Sequence, residues 1–292
     1  MADIKNKKIK RRSQWDEIWR RLRKNTGAMI GMAIVFVMVA VACSVDLIYD
    51  YDTEIIAQDI PNRYLEPCAE YWFGTDALGR DVFKRVVYGA KYSLLIGFMA
   101  TVVSTAIALV LGSAAGYFGG KVDNLIMRFC DIWGAVPGLM LGMIIVSLLG
   151  PSIWNLIIAM GLGGISGKSR TVRAAVLTVR NSEYVESARS IGMPEWKIIL
   201  KYILPNCMSP IIVAVTLGVA ADIISASSLS FLGLGVQAPA PEWGAMLTSA
   251  RENLRYYPYL AIFPGLAIMV TVLALNMFGD GLRDAMDPKL RR

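Results

Sequence analysis

The sequence predicts an all-α polytopic membrane protein with six transmembrane helices. Of its 292 residues, 55% are hydrophobic and only 18% are charged, whereas about 25% are charged in an ordinary soluble domain. Uncharged runs extend over residues 25–45, 92–120, 132–167, 202–221, 223–241 and 256–279. Because roughly 20 apolar residues suffice to cross a bilayer as a helix, this pattern indicates an integral membrane protein.

The spans are predicted near residues 27–47, 92–117, 132–149, 152–166, 207–232 and 258–279. The uncharged run 132–167 is too long for a single crossing, and Gly150-Pro151 lies inside it. Glycine commonly ends a helix and proline commonly starts one, so this dipeptide divides the run into two short spans.

The distribution of Lys and Arg predicts the orientation. With the N-terminus inside, 23 of the 30 basic residues fall in inner segments and 7 in outer segments. The positive-inside rule then places both termini in the cytoplasm. The predicted order is a basic N-terminal segment (1–26), a first transmembrane helix (27–47), an extracytoplasmic segment (48–91), a core domain of five transmembrane helices (92–280) with a cytoplasmic loop (167–206), and a cytoplasmic tail (281–292).

The residue types exclude several classes of site. The chain has no histidine, which removes Ser-His triads and the usual zinc centres. Its four cysteines are scattered without a C-x-x-C pattern, so neither a metal site nor a disulfide framework is expected. The net charge of +7 follows from the cytoplasmic bias of Lys and Arg, and no nucleic-acid partner is expected.

The stretch GLGGISGKSR, residues 161–170, resembles half of a phosphate-binding P-loop. The pattern G-x-x-x-x-G-K-[ST] needs glycine at position 162, where the chain has Leu162. Such a loop binds phosphate through backbone N–H groups at fixed spacing, so a shift of one residue alters the site. We interpret the stretch as a helix end whose glycines allow close packing, with Lys168 and Arg170 at the cytoplasmic boundary.

The segment from Asn181 to Asn206 is patterned as two short helices around a turn. Ser182 can cap the first helix, and Glu183 lies in its first turn, where a negative charge faces the helix dipole favourably. Gly192 is placed to end this helix and Pro194 to start the next one.

The first of these helices has an apolar stripe. Tyr184, Ala188 and Ile191 recur at positions i, i+4 and i+7, which is typical of one helix face. The pattern leaves two placements open, because this helix could project into the cytoplasm or lie flat on the membrane surface.

This segment resembles the "EAA" loop of permease subunits in bacterial ABC importers, which reads E-A-A-x-x-x-G with Leu-Pro following. The matching residues are Glu186, Ser187, Ala188, Gly192 and Leu204-Pro205. The chain departs from the family at Ser187, where alanine is preferred, and at Tyr202, where the family has isoleucine. Because serine is small, we expect close packing to survive the first change.

Other segments are similar to the dipeptide/oligopeptide/nickel branch of these permeases, and to the C-type member of its permease pair. They are GTDALGRDVFKRVVYGAKYSL (74–94), LSFLGLGVQAPAPEWGAML (229–247) and GDGLRDAMDPKLR (279–291). The resemblance covers the chain from about residue 15 onward and implies the type I permease fold of ABC importers.

The resemblance implies a permease of the bacterial inner membrane that carries peptides or related small solutes. Its expected partners are a second homologous permease, two ABC ATPase subunits, an extracytoplasmic substrate-binding protein and membrane lipid. ATP and Mg would be bound by the ATPase subunits, so this chain is expected to hold no catalytic residue, cofactor or metal. The residues expected to couple it to the ATPases are Glu183, Glu186, Ser187, Ala188, Arg189 and Gly192. For Glu186 the alternative is a helix-dipole charge only.

Asp222 is the one ionisable group near the centre of a predicted span. It could hydrogen-bond Ser or Thr side chains, pair with a charge on the second permease, or line the pathway and meet a cationic group of the solute. An ion-gradient-driven transporter is an alternative function, although such proteins usually place several ionisable groups at this depth. A membrane-embedded enzyme is disfavoured because the spans contain neither histidine nor paired acids.

Overall fold

The computed structural model describes residues 14–287, and these residues form helices and connecting turns without a β-strand. The α-helices are α1 (Gln14–Leu22), α2 (Thr26–Ile48), α3 (Val82–Phe118), α4 (Gly120–Gly134), α5 (Gly138–Leu149), α6 (Ile153–Gly163), α7 (Ile165–Val179), α8 (Glu183–Ser190), α9 (Glu195–Ile198), α10 (Met208–Phe231), α11 (Trp243–Ala250) and α12 (Tyr259–Met286). Parts of the predicted N-terminal segment and C-terminal tail, residues 1–13 and 288–292, lie outside the described residues.

Four helices, α2, α3, α10 and α12, are each long and apolar enough to cross a membrane. Helices α4 and α5 pass the same test together, as a pair bent by 79°. Helix α6 has only 11 residues, and α7 continues it directly after Gly164. The architecture is therefore all-helical with a number of crossings near the predicted six.

Two predicted spans correspond closely to helices, and the others differ in extent. The spans near 27–47 and 207–232 are α2 and α10. The span near 92–117 is only part of α3, and the one near 258–279 is the first part of α12. The prediction of one helix over 132–149 is wrong, because the chain turns between α4 and α5 at Pro137.

Helix α3 begins ten residues before its predicted start, because the prediction followed the uncharged run and the helix itself starts at a capping residue. Asp81 caps the helix and accepts from the Phe83 and Lys84 amides at 2.8 and 3.3 Å. The Lys84 ammonium lies 2.6 Å from Glu54, and Lys91 lies 2.5 Å from Asp46 on α2. Lys and Arg favour a helix nearly as well as Leu, so the three basic residues end the apolar run but not the helix, and these ion pairs stabilise its first turns.

The segment before α11 packs on these first turns of α3. The Trp243 ring is 1% exposed, and its Nε1 donates to the Val86 carbonyl at 2.9 Å. Glu242 is also 1% exposed and caps α11 by accepting from two backbone amides at 2.8 Å each. Burial of this carboxyl raises the pKa of Glu242. We call this end of the bundle the α11 end and the opposite end the α8 end.

Helices α3 and α7 approach each other through glycine. A Cβ at Gly112 would lie 2.6 Å from the Ser169 carbonyl and 2.7 Å from the Val172 Cβ. One turn later, a Cβ at Gly116 would lie 2.9 Å from the Val176 Cβ. This spacing of two glycines four residues apart allows two helix backbones to pack closely in a membrane.

We predict that Gly112→Ala destabilises the fold by about 1–3 kcal/mol, because the added methyl group meets backbone and a stiff Val side chain. The measurement is the thermal unfolding midpoint of the detergent-solubilised protein. Gly265→Ala on α12 is the matched control, since a Cβ there has no atom within 4 Å and alanine favours a helix over glycine. Equal midpoints for the two variants would contradict close α3–α7 packing.

Candidate functional site

Helix α8 packs through one buried face against the end of the bundle opposite α11. Val185 and Ala188 are 0% and 3% exposed. They belong to one apolar cluster with Tyr117 of α3, Val176 of α7 and Ile211 of α10. The cluster fixes the position of α8 relative to three long helices.

The predicted apolar stripe of this helix is wrong in two of its three members. Ala188 is buried, but Tyr184 and Ile191 are 39% and 75% exposed. The buried face uses the i, i+3 pair of Val185 and Ala188 instead. Trp196, in the next helical turn, is 60% exposed. The segment therefore presents large apolar side chains to its surroundings.

Gly192 ends α8 as predicted. Its φ is +74°, a left-handed conformation that glycine adopts at little cost. Its amide donates to the Arg189 carbonyl at 2.9 Å, and the Met193 amide donates to the Ala188 carbonyl at 3.2 Å. These two bonds form a Schellman motif, after which Pro194 precedes α9.

The acidic residues of α8 are exposed. Glu183 and Glu186 lie in its first turn, and neither carboxylate makes an ion pair within residues 14–287. The Ser187 hydroxyl donates to the Glu183 carbonyl at 2.8 Å, so this departure from alanine is accommodated within the helix. Ser182 precedes the helix, but its hydroxyl donates back to the Val179 carbonyl at 2.6 Å and caps no amide of α8.

Arg189 faces the bundle through Tyr117, a residue that the sequence reasoning did not single out. Its guanidinium carbon lies 4.8 Å from the centre of the Tyr117 ring, and its Nε donates to the Tyr117 hydroxyl at 3.1 Å. That hydroxyl donates in turn to Glu195 of α9. Tyr117 is 5% exposed and thus connects the last turn of α3 to both helices of the loop.

Asp222 is placed apart from this loop, midway along α10 and beside α3 and α7. The Thr101 hydroxyl donates to Asp222 Oδ2 at 2.5 Å, and Lys168 Nζ lies 3.4 Å from the same oxygen. Lys168 Nζ also donates to the Ser104 hydroxyl at 2.5 Å. Both side chains of the ion pair are 14% exposed.

The predicted helix end is confirmed, because α6 ends at Gly163, but a second helix begins at once and Lys168 lies in the first turn of α7. The position of Lys168 at the cytoplasmic boundary stays a prediction. Residues 161–170 form the end of α6, a break at Gly164 and the first turns of α7. Lys168 lies near the middle of this helical run and is enclosed by α3 and α10. The glycines do allow close packing, since a Cβ at Gly161 would lie 2.8 Å from Val103.

Sequence reasoning missed Lys168 and Tyr117 because their partners are distant in the chain. The one available signal for Lys168 was a second charge, Asp222, inside another apolar run. Tyr117 gave no such signal, because an aromatic residue at the end of an apolar run usually packs at the membrane interface.

Two family models match the chain. "Binding-protein-dependent transport system inner membrane component" matches residues 108–292, and "N-terminal TM domain of oligopeptide transport permease C" matches residues 13–67. The glutathione transport system permease protein GsiD of Escherichia coli O6:K15:H31 is 46% identical over 280 residues, which is 96% of this chain and 92% of that protein. The dipeptide transport system permease protein DppC of Alkalihalophilus pseudofirmus is 43% identical, over 96% of this chain and 91% of that protein.

Solved structures share the fold at low sequence identity. The MetNI methionine ABC transporter, in an inward-facing conformation, matches with a TM-score of 0.57 and 16% identity, covering 70% of this chain and 97% of the matched chain. An amino acid ABC transporter crystallised with histidines matches with a TM-score of 0.54 and 14% identity, covering 69% of this chain and 94% of the matched chain. Because the first family model spans more than half of the chain and the curated relatives match nearly all of it, the chain belongs to the inner membrane components of binding-protein-dependent transport systems, as a permease subunit of an ABC importer.

Proposed function

We propose that this permease imports small peptides and forms the pathway together with a second, homologous permease. The names of its relatives support this solute class, since GsiD is named for glutathione transport and DppC for dipeptide transport. Both solutes are peptides of two or three residues, with charged groups at their ends.

The observation that carries the coupling role is the surface of α8. Its buried face is fixed to three helices, whereas Tyr184, Ile191 and Trp196 are 39%, 75% and 60% exposed and the acids Glu183 and Glu186 are exposed as well. Exposed large apolar side chains among polar ones are typical of a surface that binds another protein. This surface is therefore assigned to one of two ABC ATPase subunits, the second of which would bind the second permease.

The ATPase subunits bind ATP and Mg in this proposal, and this chain binds neither. The helical conformation of residues 161–170 supports this assignment, because a P-loop cradles phosphate with backbone amides that a helix uses internally. Closure of the ATPases on ATP would displace α8, and the permease would respond as a bistable element biased by a ligand on its partner.

Arg189 has a positioning role in this mechanism. It stacks on Tyr117 and thereby holds α8 to α3, while its side chain is exposed enough to make the expected contact with the ATPase as well. A displacement of α8 would reach the last turn of α3 through this contact and through the Tyr117–Glu195 bond. Ala188 and Gly192 set the shape of the helix, and Glu183, Glu186 and Arg189 are proposed as the charged contacts.

The orientation follows from the basic residues. Lys168 lies within the bundle, but removing it from the inner tally leaves 22 Lys and Arg against 7 in the outer segments. Both termini and the α8 end are therefore assigned to the cytoplasm. The α11 end then faces outward, where a substrate-binding protein would dock.

A cysteine at Ser190 tests this orientation. Ser190 is exposed, so Ser190→Cys, in a chain whose four native cysteines are replaced, should react with a membrane-impermeant maleimide in inside-out vesicles. It should not react in intact cells. Reaction in intact cells would place α8 outside and contradict the coupling role.

Reconstituted uptake tests the function. We expect proteoliposomes with both permeases, the ATPase subunits and the binding protein to accumulate labelled dipeptide or glutathione only with ATP. Liposomes lacking the ATPases serve as the control. Accumulation in that control, driven by a proton or sodium gradient, would instead support the alternative of a secondary transporter.

Substitution of Gly192 tests the coupling. Gly192→Val places a β-branched residue at a φ of +74°, at a cost of about 1–2 kcal/mol, while a Cβ there meets no atom within 4 Å. The chain should therefore insert normally but lose peptide uptake, because α8 ends incorrectly. Gly192→Asn is the matched control and should retain most uptake, since asparagine tolerates the left-handed region. Full uptake by the valine variant would remove this turn from the mechanism.

A further inference from the structure

Helix α7 exposes different residues from the other membrane helices. Exposed large apolar side chains occur on α2, α3, α5, α10 and α12, but none of those in the described residues lies on α7. The exposed residues of α7 are Gly167, Arg170, Ala174 and Thr178. Because lipid tails offer polar groups no hydrogen-bond partner, a face of small and polar residues is unsuited to lipid.

The Lys168–Asp222 pair lies at one side of this face. Lys168 follows exposed Gly167 on α7, and Asp222 follows exposed Ala221 on α10. Both bonds to Asp222 reach Oδ2, and within residues 14–287 no hydrogen bond reaches its Oδ1. The carboxylate therefore retains a free acceptor at a position that is 14% exposed.

A second polar atom without a partner lies on α3, one helical turn from Thr101. Thr105 Oγ1 is buried and makes no hydrogen bond within the described residues. Thr105, Lys168 and Thr171 together line a small cavity between α3, α7 and α10. Its other lining residues, Val172, Ile211, Ala214 and Val215, are apolar. Buried hydroxyls are nearly always satisfied, so the unpaired Thr105 hydroxyl shows that not every polar group around Lys168 has a partner within the described residues.

We propose that Lys168 and Asp222 form a charge-selective site on the solute pathway. Asp222 meets a cationic group of the passing peptide, and Lys168 meets a carboxylate. The pair has no net charge. When a zwitterionic peptide replaces the contact between Lys168 and Asp222 with one contact to each of them, no charge is left unpaired. Such a site binds weakly, as release from a pathway requires. This inference rests on the proposed peptide import.

Uptake of peptides of matched size but different side-chain charge tests the site. With the binding protein held constant, Asp222→Asn should lower uptake of a cationic peptide by about tenfold relative to a neutral one, as expected for loss of one charge-assisted hydrogen bond. Lys168→Met should lower uptake of an anionic peptide to a similar degree. The two variants thus shift the ratio of cationic to anionic uptake in opposite directions.

The matched controls are Asp46→Asn and Lys91→Met. Each removes one partner of the ion pair between α2 and α3, in which Lys91 Nζ lies 2.5 Å from Asp46 Oδ2. They should leave the ratio unchanged. If the Lys168–Asp222 pair is purely structural, its variants will reduce uptake of all peptides equally. If the variants keep normal uptake and an unchanged ratio of cationic to anionic uptake, the charge-selective site is overturned but the proposed function is not. Absence of ATP-dependent uptake by the unmodified transporter would overturn the proposed function and this site with it.

If the Asp222 and Lys168 variants do not insert into the membrane, thiol labelling tests whether the exposed face of α7 lines the pathway. In the background without native cysteines, Gly167→Cys should react with a small water-soluble thiosulfonate, and a transported peptide should slow the reaction. A Cβ at Gly167 has open space around it. Val37→Cys on α2, where the native side chain is 57% exposed, should remain unreactive in lipid. An unreactive Gly167→Cys would show that this face does not line an aqueous pathway.

Discussion

The close packing of α7 against α3 is the interaction on which both candidate functional regions, the α8 segment and the Lys168–Asp222 pair, depend. Gly112 and Gly116 let the two backbones approach, and Arg180 at the end of α7 donates to the Gly116 carbonyl at 3.0 Å. Helix α8 begins a few residues later, so the position of α7 fixes where α8 can lie. The same packing places Lys168, one turn before Val172, beside the hydroxyls of α3.

Helix α3 connects the two ends of the molecule because it is long and is held by polar contacts at each level. Trp243 packs on its first turns, Thr101 bonds Asp222 at its middle, and Tyr117 meets Arg189 at its last turn. A straight helix of 37 residues is about 55 Å long. A displacement at the α8 end can thus be carried along one continuous element to the α11 end.

The features that could be predicted from the sequence are local ones. The limits of α2 and α10 follow from hydropathy, and the turn at Gly192 follows from a glycine that precedes a proline. Prediction failed at the turn at Pro137, which lies inside an uncharged run, and where a charge has a partner far away in the chain. The predicted fourth span stopped before Lys168. Its partner Asp222 lies 54 residues later, so a hydropathy pattern read over neighbouring residues does not reveal the ion pair. The first turns of α3 fell in the predicted extracytoplasmic segment because Lys84, Arg85 and Lys91 end the apolar run, although they do not end the helix.

The ion pairs of α7 differ in burial, and this difference indicates which of its contacts are obligatory. Arg170 and Asp131 of α4 are each about half exposed, and such pairs contribute little because water already solvates both charges. Lys168 and Asp222 are 14% exposed. Removing either partner there leaves an unpaired charge at a cost of several kcal/mol. Helix α7 is accordingly held to α3 and α10. The contact between Arg170 and Asp131 can break and re-form at little cost, although Arg173 also joins α7 to α4 through both carboxylate oxygens of Asp123, at 2.5 Å each. The proposed pathway face of α7 therefore lies next to a junction of three helices that is expected to stay fixed.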